Sequence, residues 1–219
     1  MSKNDKNSKL DLGDAYNLGK PANHAEYYDR MAQSYDDEFV VEHQYIYPQI
    51  VAKHFLEVSG KNDQPVADLG CGTGLVGEHF ADSNIIIDGF DISPEMIRMA
   101  REKCIYRNLQ VADLTRPMND KIGKYGGLIS CGTFTLGHLG PQTLEVCLML
   151  ARPGAFCVIG INSLHFQNEG FGDFFENAFE KGKITRPDIN EVQIYEGNTS
   201  TDPIDVGNLV SFRMQQELD

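Results

Sequence analysis

Apolar positions set two rhythms along this chain. From His24 to about Leu56 they recur at helical spacing, with Met31 and Tyr35 on the stripe and Pro48 placed to open a second helix. Past residue 60 the apolar residues gather into short blocks separated by amphipathic stretches. PVADLG (65–70), IIIDGFD (85–91), NLQVAD (108–113), YGGLISCG (125–132) and GAFCVIGIN (154–162) read as strands. Helices are predicted from about Gly74, over SPEMIRMAREKC with Ser93 as N-cap and Pro94 at N1, over PQTLEVCLMLA and over FGDFFENAFEKG. EVQIYEG and GNLVSFRMQQ close the chain as two strands with no helical pattern between them.

Strand and helix in alternation imply a parallel sheet covered on both faces, and the closing pair implies an antiparallel hairpin at one edge. The expected fold is α/β, a Rossmann-like three-layer αβα sandwich with a seven-stranded, mostly parallel sheet and an N-terminal helical cap. The pattern divides the chain into a flexible segment at 1–23 and one domain at 24–219. Within it, 24–60 form the cap, 61–162 the cofactor-binding core and 163–219 a C-terminal helix and strand pair.

Composition narrows the partners. A formal net charge of −13 over 219 residues repels a phosphate backbone, so a small molecule is expected as partner rather than nucleic acid. The five cysteines form no CxxC pair, and no apolar run reaches bilayer length; reduced thiols and a cytoplasmic location, with no membrane partner, are the expectation. The six histidines show no HxH or HExxH spacing, so no metal is expected.

The stretch VADLGCGTGLVGEHF carries the candidate chemistry. Gly70, Gly72 and Gly74 lie between a strand and a helix, where a ligand can approach main chain with no Cβ in the way. Gly72, Gly74 and Gly77 also satisfy the GxGxxG dinucleotide fingerprint, with Asp91 about 20 residues on, so glycine spacing alone leaves NAD open. Asp68, before the loop, and Asp113, ending the third strand, weigh against a diphosphate. Carboxylates at three successive strand ends suit a ligand with an amino-acid end, a ribose and an adenine, which S-adenosylmethionine has without phosphate.

VADLGCGTG resembles the first motif of class I S-adenosylmethionine-dependent methyltransferases, and GFDISPEMIRMARE the segment that follows it. LQVADL is similar to the family's adenine-contacting turn. The stretch from YGGLISCGTF to FCVIG is similar to its fourth and fifth strands. DAYNLGKPANHAEYYDRMAQSYDDEF resembles the cap of a small-molecule subgroup that includes the Williams–Beuren-region methyltransferase-like proteins. The resemblance implies that Gly70, Cys71, Gly72 and Gly74 line the methionine and ribose, with Asp68 supporting the loop. It implies that Asp91 holds the ribose hydroxyls and Ile92 packs on the adenine. Ala112, Asp113 and Leu114 would complete the adenine site, and Cys131 and Gly132 would approach the methionine end. Two positions depart from the family pattern: Gly126, where an aspartate is common, and Ala155 in place of the second glycine of a pair.

The implied reaction is methyl transfer to an O, N or S atom of a small molecule, with S-adenosylhomocysteine as product. Positioning supplies most of the acceleration, and a base is needed only for an acceptor proton of high pKa. Tyr28 and Tyr35, seven apart and hence on one helical face, are candidates to cover the sulfonium or contact the acceptor. Tyr35 and His138 are the candidate catalytic residues. An NAD-linked oxidoreductase, or a non-catalytic S-adenosylmethionine-binding protein, remains as an alternative.

Overall fold

The computed structural model describes residues 21–121, 123–197 and 202–216; most of the expected flexible segment lies outside that range. One sheet of seven strands organises the rest, in the order β3-β2-β1-β4-β5-β7-β6. The strands are β1 (Val66–Leu69), β2 (Ile87–Asp91), β3 (Asn108–Val111), β4 (Tyr125–Phe134), β5 (Ala151–Asn162), β6 (Asp188–Gln193) and β7 (Val206–Arg213). β1 to β5 pair in parallel, and β7 lies antiparallel between β5 and β6. The closing pair is therefore the edge hairpin of the expectation, with its second strand turned inward.

Side chains alternate between two cores. Val66, Ile87, Ile129, Val158 and Leu209 face one layer, while Ala67, Phe90, Leu128, Cys157 and Val210 face the other. The first layer is closed by α3 (Tyr47–Val58), which buries Tyr47, Val51 and Phe55, and by the short α4 (Leu75–Glu78). The second is closed by α6 (Pro141–Leu148) and α8 (Phe171–Glu180), whose Leu144, Phe171 and Phe175 are buried. α5 (Pro94–Glu102) packs beside β2 and β3 through Met96, Ile97 and Ala100, with Ser93 accepting from Met96 N at 3.0 Å as the predicted N-cap.

The cap departs from its expected form. Pro48 stands in the first turn of α3 as expected, but the stretch before it breaks into α1 (Pro21–Met31), a π-helical turn (Tyr35–Val40) and α2 (Val41–His43). Gln44, at φ 51°, ends α2, and Asp36 turns its carboxylate out of the π turn towards Thr73 and Lys103. Tyr28 and Tyr35 thus lie on different elements rather than one helical face, yet their rings meet edge to face at 6.5 Å. Two further boundaries moved. β5 begins at Ala151, because Tyr125 pairs there before the ladder shifts, and it takes the residue expected to end α6. β6 spans 188–193, earlier than expected, and a helix without a predicted pattern, α7 (Ser163–Asn168), follows Asn162, whose side chain caps it.

Gly126 has a packing reason. A Cβ there would lie 2.5 Å from Asn62 O and 2.7 Å from Gln64 N, so this backbone leaves no room for the family's aspartate. Ala155 is buried beside Gly154, and Gly154 alone has positive φ, so a second glycine is not required by the turn.

Candidate active site

β1 and β4 lie side by side where the strand order reverses, the position at which open α/β sheets leave a crevice beyond the carboxyl ends. A cleft of about 1060 Å³, partly open to solvent, occupies that position. The core side is built from four strand ends. Ser130 Oγ and Thr133 Oγ1 donate to Leu69 O at 2.8 and 2.9 Å, so β4 holds the end of β1. Gly70 N and Cys71 N both donate to Phe90 O, at 2.8 and 3.0 Å, which fastens the glycine loop to β2.

Within the loop Gly70, Gly72 and Gly74 all have positive φ. A Cβ on Gly70 would run into the Thr133 side chain, whereas at Gly72 nothing lies within 4 Å. Gly72 lines the cleft, so the space a side chain would fill there is ligand space. Gly77, the last glycine of the dinucleotide-like spacing, faces elsewhere: a Cβ there would meet the Tyr106 ring, at 2.7 Å from Cε2. Its smallness admits Tyr106, whose hydroxyl donates to Asp68 Oδ2 at 2.7 Å. The glycines thus serve two purposes, a bare main-chain wall and a seat for a tyrosine.

Asp68 does not line the cleft. It is fully buried under the loop, with Oδ1 lacking a partner, and burial raises its pKa to about 7. Its geometry is that of a support to the loop and not of a ligand contact. Asp91 does line the cleft. Its Oδ2 accepts from Gly72 N and its Oδ1 from Ser93 N, both at 2.9 Å, while burial raises its pKa. A carboxylate has about four acceptor sites, so these two bonds leave capacity for a pair of hydroxyls. Asp113 also lines the cleft, and its Oδ1 caps its own turn by accepting from Thr115 N at 3.0 Å and Thr115 Oγ1 at 2.6 Å. Ile92, Ala112 and Leu114 line the cleft between the two carboxylates, with Met96 as an unforeseen neighbour.

The facing wall comes from the cap and from β4. Cys131 and Gly132 line it, with Tyr28, Tyr35 and Tyr45, while Cys71 lines the cleft from the glycine loop. Tyr45 Oη sits 3.5 Å from Cys131 Sγ, and burial drives that thiol up to about 12, which keeps it protonated. Burial also pushes the phenols of Tyr35 and Tyr45 up. His138 lines the cleft as well; Nδ1 lies 2.9 Å from Leu136 O and Nε2 lies 2.8 Å from Tyr28 Oη. Burial lowers its pKa to about 4, so the imidazole is neutral near pH 7. His24, Tyr45 and Thr133 join the predicted residues here. Only the helical phase of His24 with Tyr28, four residues apart, offered a sequence signal for any of them.

Three latches hold the cap over the core. Asp29 Oδ1 accepts from Ser93 Oγ at 2.5 Å and from Glu95 N at 3.2 Å, at the start of α5. Asp36 accepts from Thr73 Oγ1 in the glycine loop at 2.5 Å and from Lys103 Nζ at 2.6 Å. Tyr28 and His138 form the third.

The donor set fits S-adenosylmethionine part by part: a bare glycine loop, a carboxylate at the end of β2, and an apolar slot ending in a second carboxylate. Among the described residues no lysine or arginine lines the cleft, and Arg116, 3.3 Å from Asp113 Oδ2, is already engaged by that carboxylate, so a diphosphate would meet Asp91 and Asp113 with no cationic side chain in the cleft itself.

Comparisons with known proteins bear on the fold. Residues 66–154 match a family model described as a methyltransferase domain. A ubiquinone biosynthesis O-methyltransferase of Xanthomonas axonopodis is 28% identical over 93 residues, covering 41% of this chain and 39% of that protein. The chain thus spans about two-fifths of the curated relative it matches. Among solved structures, magnesium protoporphyrin IX methyltransferase from Synechocystis, with bound S-adenosylhomocysteine, superposes with TM-score 0.60 at 17% identity, over 86% of this chain and 94% of that one. A TehB-like SAM-dependent methyltransferase from Corynebacterium glutamicum gives 0.56 at 19% identity, over 89% and 98%. The fold is the Rossmann-like methyltransferase fold.

Proposed function

We propose that this protein transfers the methyl group of S-adenosylmethionine to an O, N or S atom of a small molecule. One observation carries the reading. The glycine loop, Asp91 and Asp113 open on a single cleft that holds two carboxylates and, among the described residues, no cationic side chain. Gly70, Cys71, Gly72 and Gly74 would hold the methionine and ribose, Asp91 the ribose hydroxyls, and Ile92, Ala112, Asp113 and Leu114 the adenine. Cys131, Gly132, Tyr28 and Tyr35 would border the methyl-bearing end, with Asp68 acting from beneath the loop. When bound, S-adenosylmethionine supplies an electrophilic methyl group on a sulfonium, so the chain's own residues have mainly to orient the acceptor and exclude water.

The match to a methyltransferase domain supports this reading over an NAD-linked oxidoreductase. The cap's likeness to the small-molecule subgroup and the net charge of −13 favour a metabolite over nucleic acid. Residues 24–219 would act as one methyltransferase domain, and the free state of Cys71, Cys104, Cys131, Cys147 and Cys157 suits a reducing, cytoplasmic setting. No helix among the described residues is long and apolar enough to cross a membrane.

Calorimetric titration with S-adenosylhomocysteine, with NADH in parallel, tests the proposal. Micromolar binding of S-adenosylhomocysteine that Asp91→Ala weakens at least tenfold is the expected result; binding of NADH instead would reverse it. A protein that binds S-adenosylmethionine tightly and yields no methylated product from a metabolite extract would be a non-catalytic binder.

A further inference from the structure

Resting on that reading, we propose that the methyl acceptor is an uncharged aromatic heterocycle and that its ring nitrogen, rather than an oxygen or a sulfur, takes the methyl group. The charge pattern of the cleft is the first support. Among the described residues that line it are two carboxylates, Asp91 and Asp113, and no lysine or arginine. An acceptor bearing a carboxylate or phosphate, or entering as a phenolate or thiolate, would meet like charge and no cation to pair with. The cleft's own weak acids behave accordingly. Burial pushes the phenols of Tyr35 and Tyr45 up and drives the thiol of Cys131 to about 12.

A neutral hydroxyl or thiol fails for a second reason: its proton needs a base. Asp91 and Asp113 are committed to the ribose and the adenine. His138 has a partner at each ring nitrogen, Leu136 O at 2.9 Å from Nδ1 and Tyr28 Oη at 2.8 Å from Nε2, and burial holds its pKa at about 4. His24, edge-on to that ring at 4.5 Å, is lowered by burial too. Imidazoles so weakened are poorly matched to a phenolic proton, whose pKa is about 10.

A ring nitrogen of the pyridine kind needs neither an anion nor a base, because its lone pair is free at neutral pH. In the transfer step that nitrogen forms a bond to the methyl carbon, and the electron pair of the breaking carbon–sulfur bond stays on sulfur. No proton moves. The positive charge leaves sulfur and arrives on nitrogen, so the cleft gains and loses no charge, and the product is an N-methyl heterocyclic cation. Aromatic rings stabilise a cation at either end of that step, and Tyr28, Tyr35 and Tyr45 line the cleft, the first two meeting edge to face at 6.5 Å. Pro48 and Leu139 add apolar surface for a flat body.

The test uses small probes of similar size. With S-adenosylmethionine as donor, single-turnover mass spectrometry should find pyridine converted to N-methylpyridinium at least tenfold faster than phenol to anisole or thiophenol to thioanisole. The pyridine reaction should show no solvent deuterium isotope effect. In the S-adenosylhomocysteine complex, calorimetry should find N-methylpyridinium bound at least fivefold tighter than toluene, its uncharged isostere, and benzoate weaker than either. Tyr28→Leu and Tyr35→Leu, which remove a ring and keep apolar bulk, should reduce that preference at least threefold; S-adenosylhomocysteine binding shows that each variant is folded. No methylation of pyridine, phenol or thiophenol methylated as fast as pyridine, a solvent isotope effect on the pyridine reaction, or toluene bound as tightly as N-methylpyridinium would each overturn the proposal. Failure of the unaltered protein to bind S-adenosylhomocysteine would instead defeat the cofactor reading on which it rests.

Discussion

A glycine loop and the ends of sheet strands form one side of the cleft, and the tyrosines of the cap form much of the other. On the core side, positive-φ glycines expose the loop, and the strand ends are tied together by bonds such as Gly70 N to Phe90 O and Ser130 Oγ to Leu69 O. On the cap side, Tyr28, Tyr35 and Tyr45 do the facing, from an α-helix, a π turn and the residues before α3, and half-exposed Asp36 latches them down. A wall of backbone fixed by the sheet suits one invariant ligand. A wall of rings hung on short elements suits a ligand that differs between proteins of the same fold. Substitutions on the core side should therefore disturb folding and cofactor binding together, while those on the cap should spare folding.

The most deeply buried carboxylate gives the sharpest break. The folded pKa of Asp68, about 7, lies above its ordinary value of 3.8, so the folded protein holds that proton to higher pH than the unfolded chain does. Its contribution to stability is full below pH 3.8 and is lost as pH rises through about 7, a fall on the order of 4 kcal/mol. Urea unfolding from pH 4 to 8 should show that decline, and Asp68→Asn should flatten it. Gly70→Val combines left-handed backbone with a collision against Thr133 and should destabilise by about 3 kcal/mol. Gly170→Ala, at φ +76° but in open space, should lose only about 1 kcal/mol in the same assay.

Asp91→Ala removes a carboxylate whose charged hydrogen bonds are each worth about 1.5–3 kcal/mol, so affinity for S-adenosylhomocysteine should drop at least tenfold by calorimetry. Asp36→Ala on the cap should cost only about 1–2 kcal/mol of stability, because the pair is partly buried but Lys103 keeps Glu78 as a second partner. It should nonetheless speed S-adenosylhomocysteine release several-fold in stopped flow, since the latch to Thr73 is gone. Asp113→Asn keeps an oxygen for Thr115 but replaces the acceptor an adenine amino group would use with an NH2 donor, and should weaken binding about three- to tenfold. A cap substitution that unfolds the protein would erase the contrast between the two walls.

How much of this was legible in the sequence follows the same division. β1 to β5, the helix capped by Ser93 and the cleft positions of Asp91 and Asp113 all follow from local signals: apolar blocks, a cap residue before a proline, an aspartate at a strand end. The cap did not follow. Its apolar stripe is helical throughout, but Asp36 is engaged by Thr73 and Lys103, which lie far along the chain, and no local pattern announces the π turn. The pairing of Tyr28 with His138 joins residues 110 apart, and the entry of Tyr45 into the cleft depends on Gln44 adopting φ 51°. Asp68 was legible only in part for a related reason. Its place before the glycines reads as a ligand contact, while the sheet buries it under Tyr106, a residue whose importance shows only through the lack of Cβ at Gly74 and Gly77.

The tyrosine wall has a consequence for how this protein can be watched. The chain has nine tyrosines and no tryptophan, so its ultraviolet emission is phenolic alone. Three of those emitters, Tyr28, Tyr35 and Tyr45, border the cleft. A guest that quenched the rings around it would dim a third of the light sources at once, with no indole glow to mask the change. Occupancy of the cleft is thereby written into the protein's own fluorescence, and filling and emptying can be followed in real time without a label.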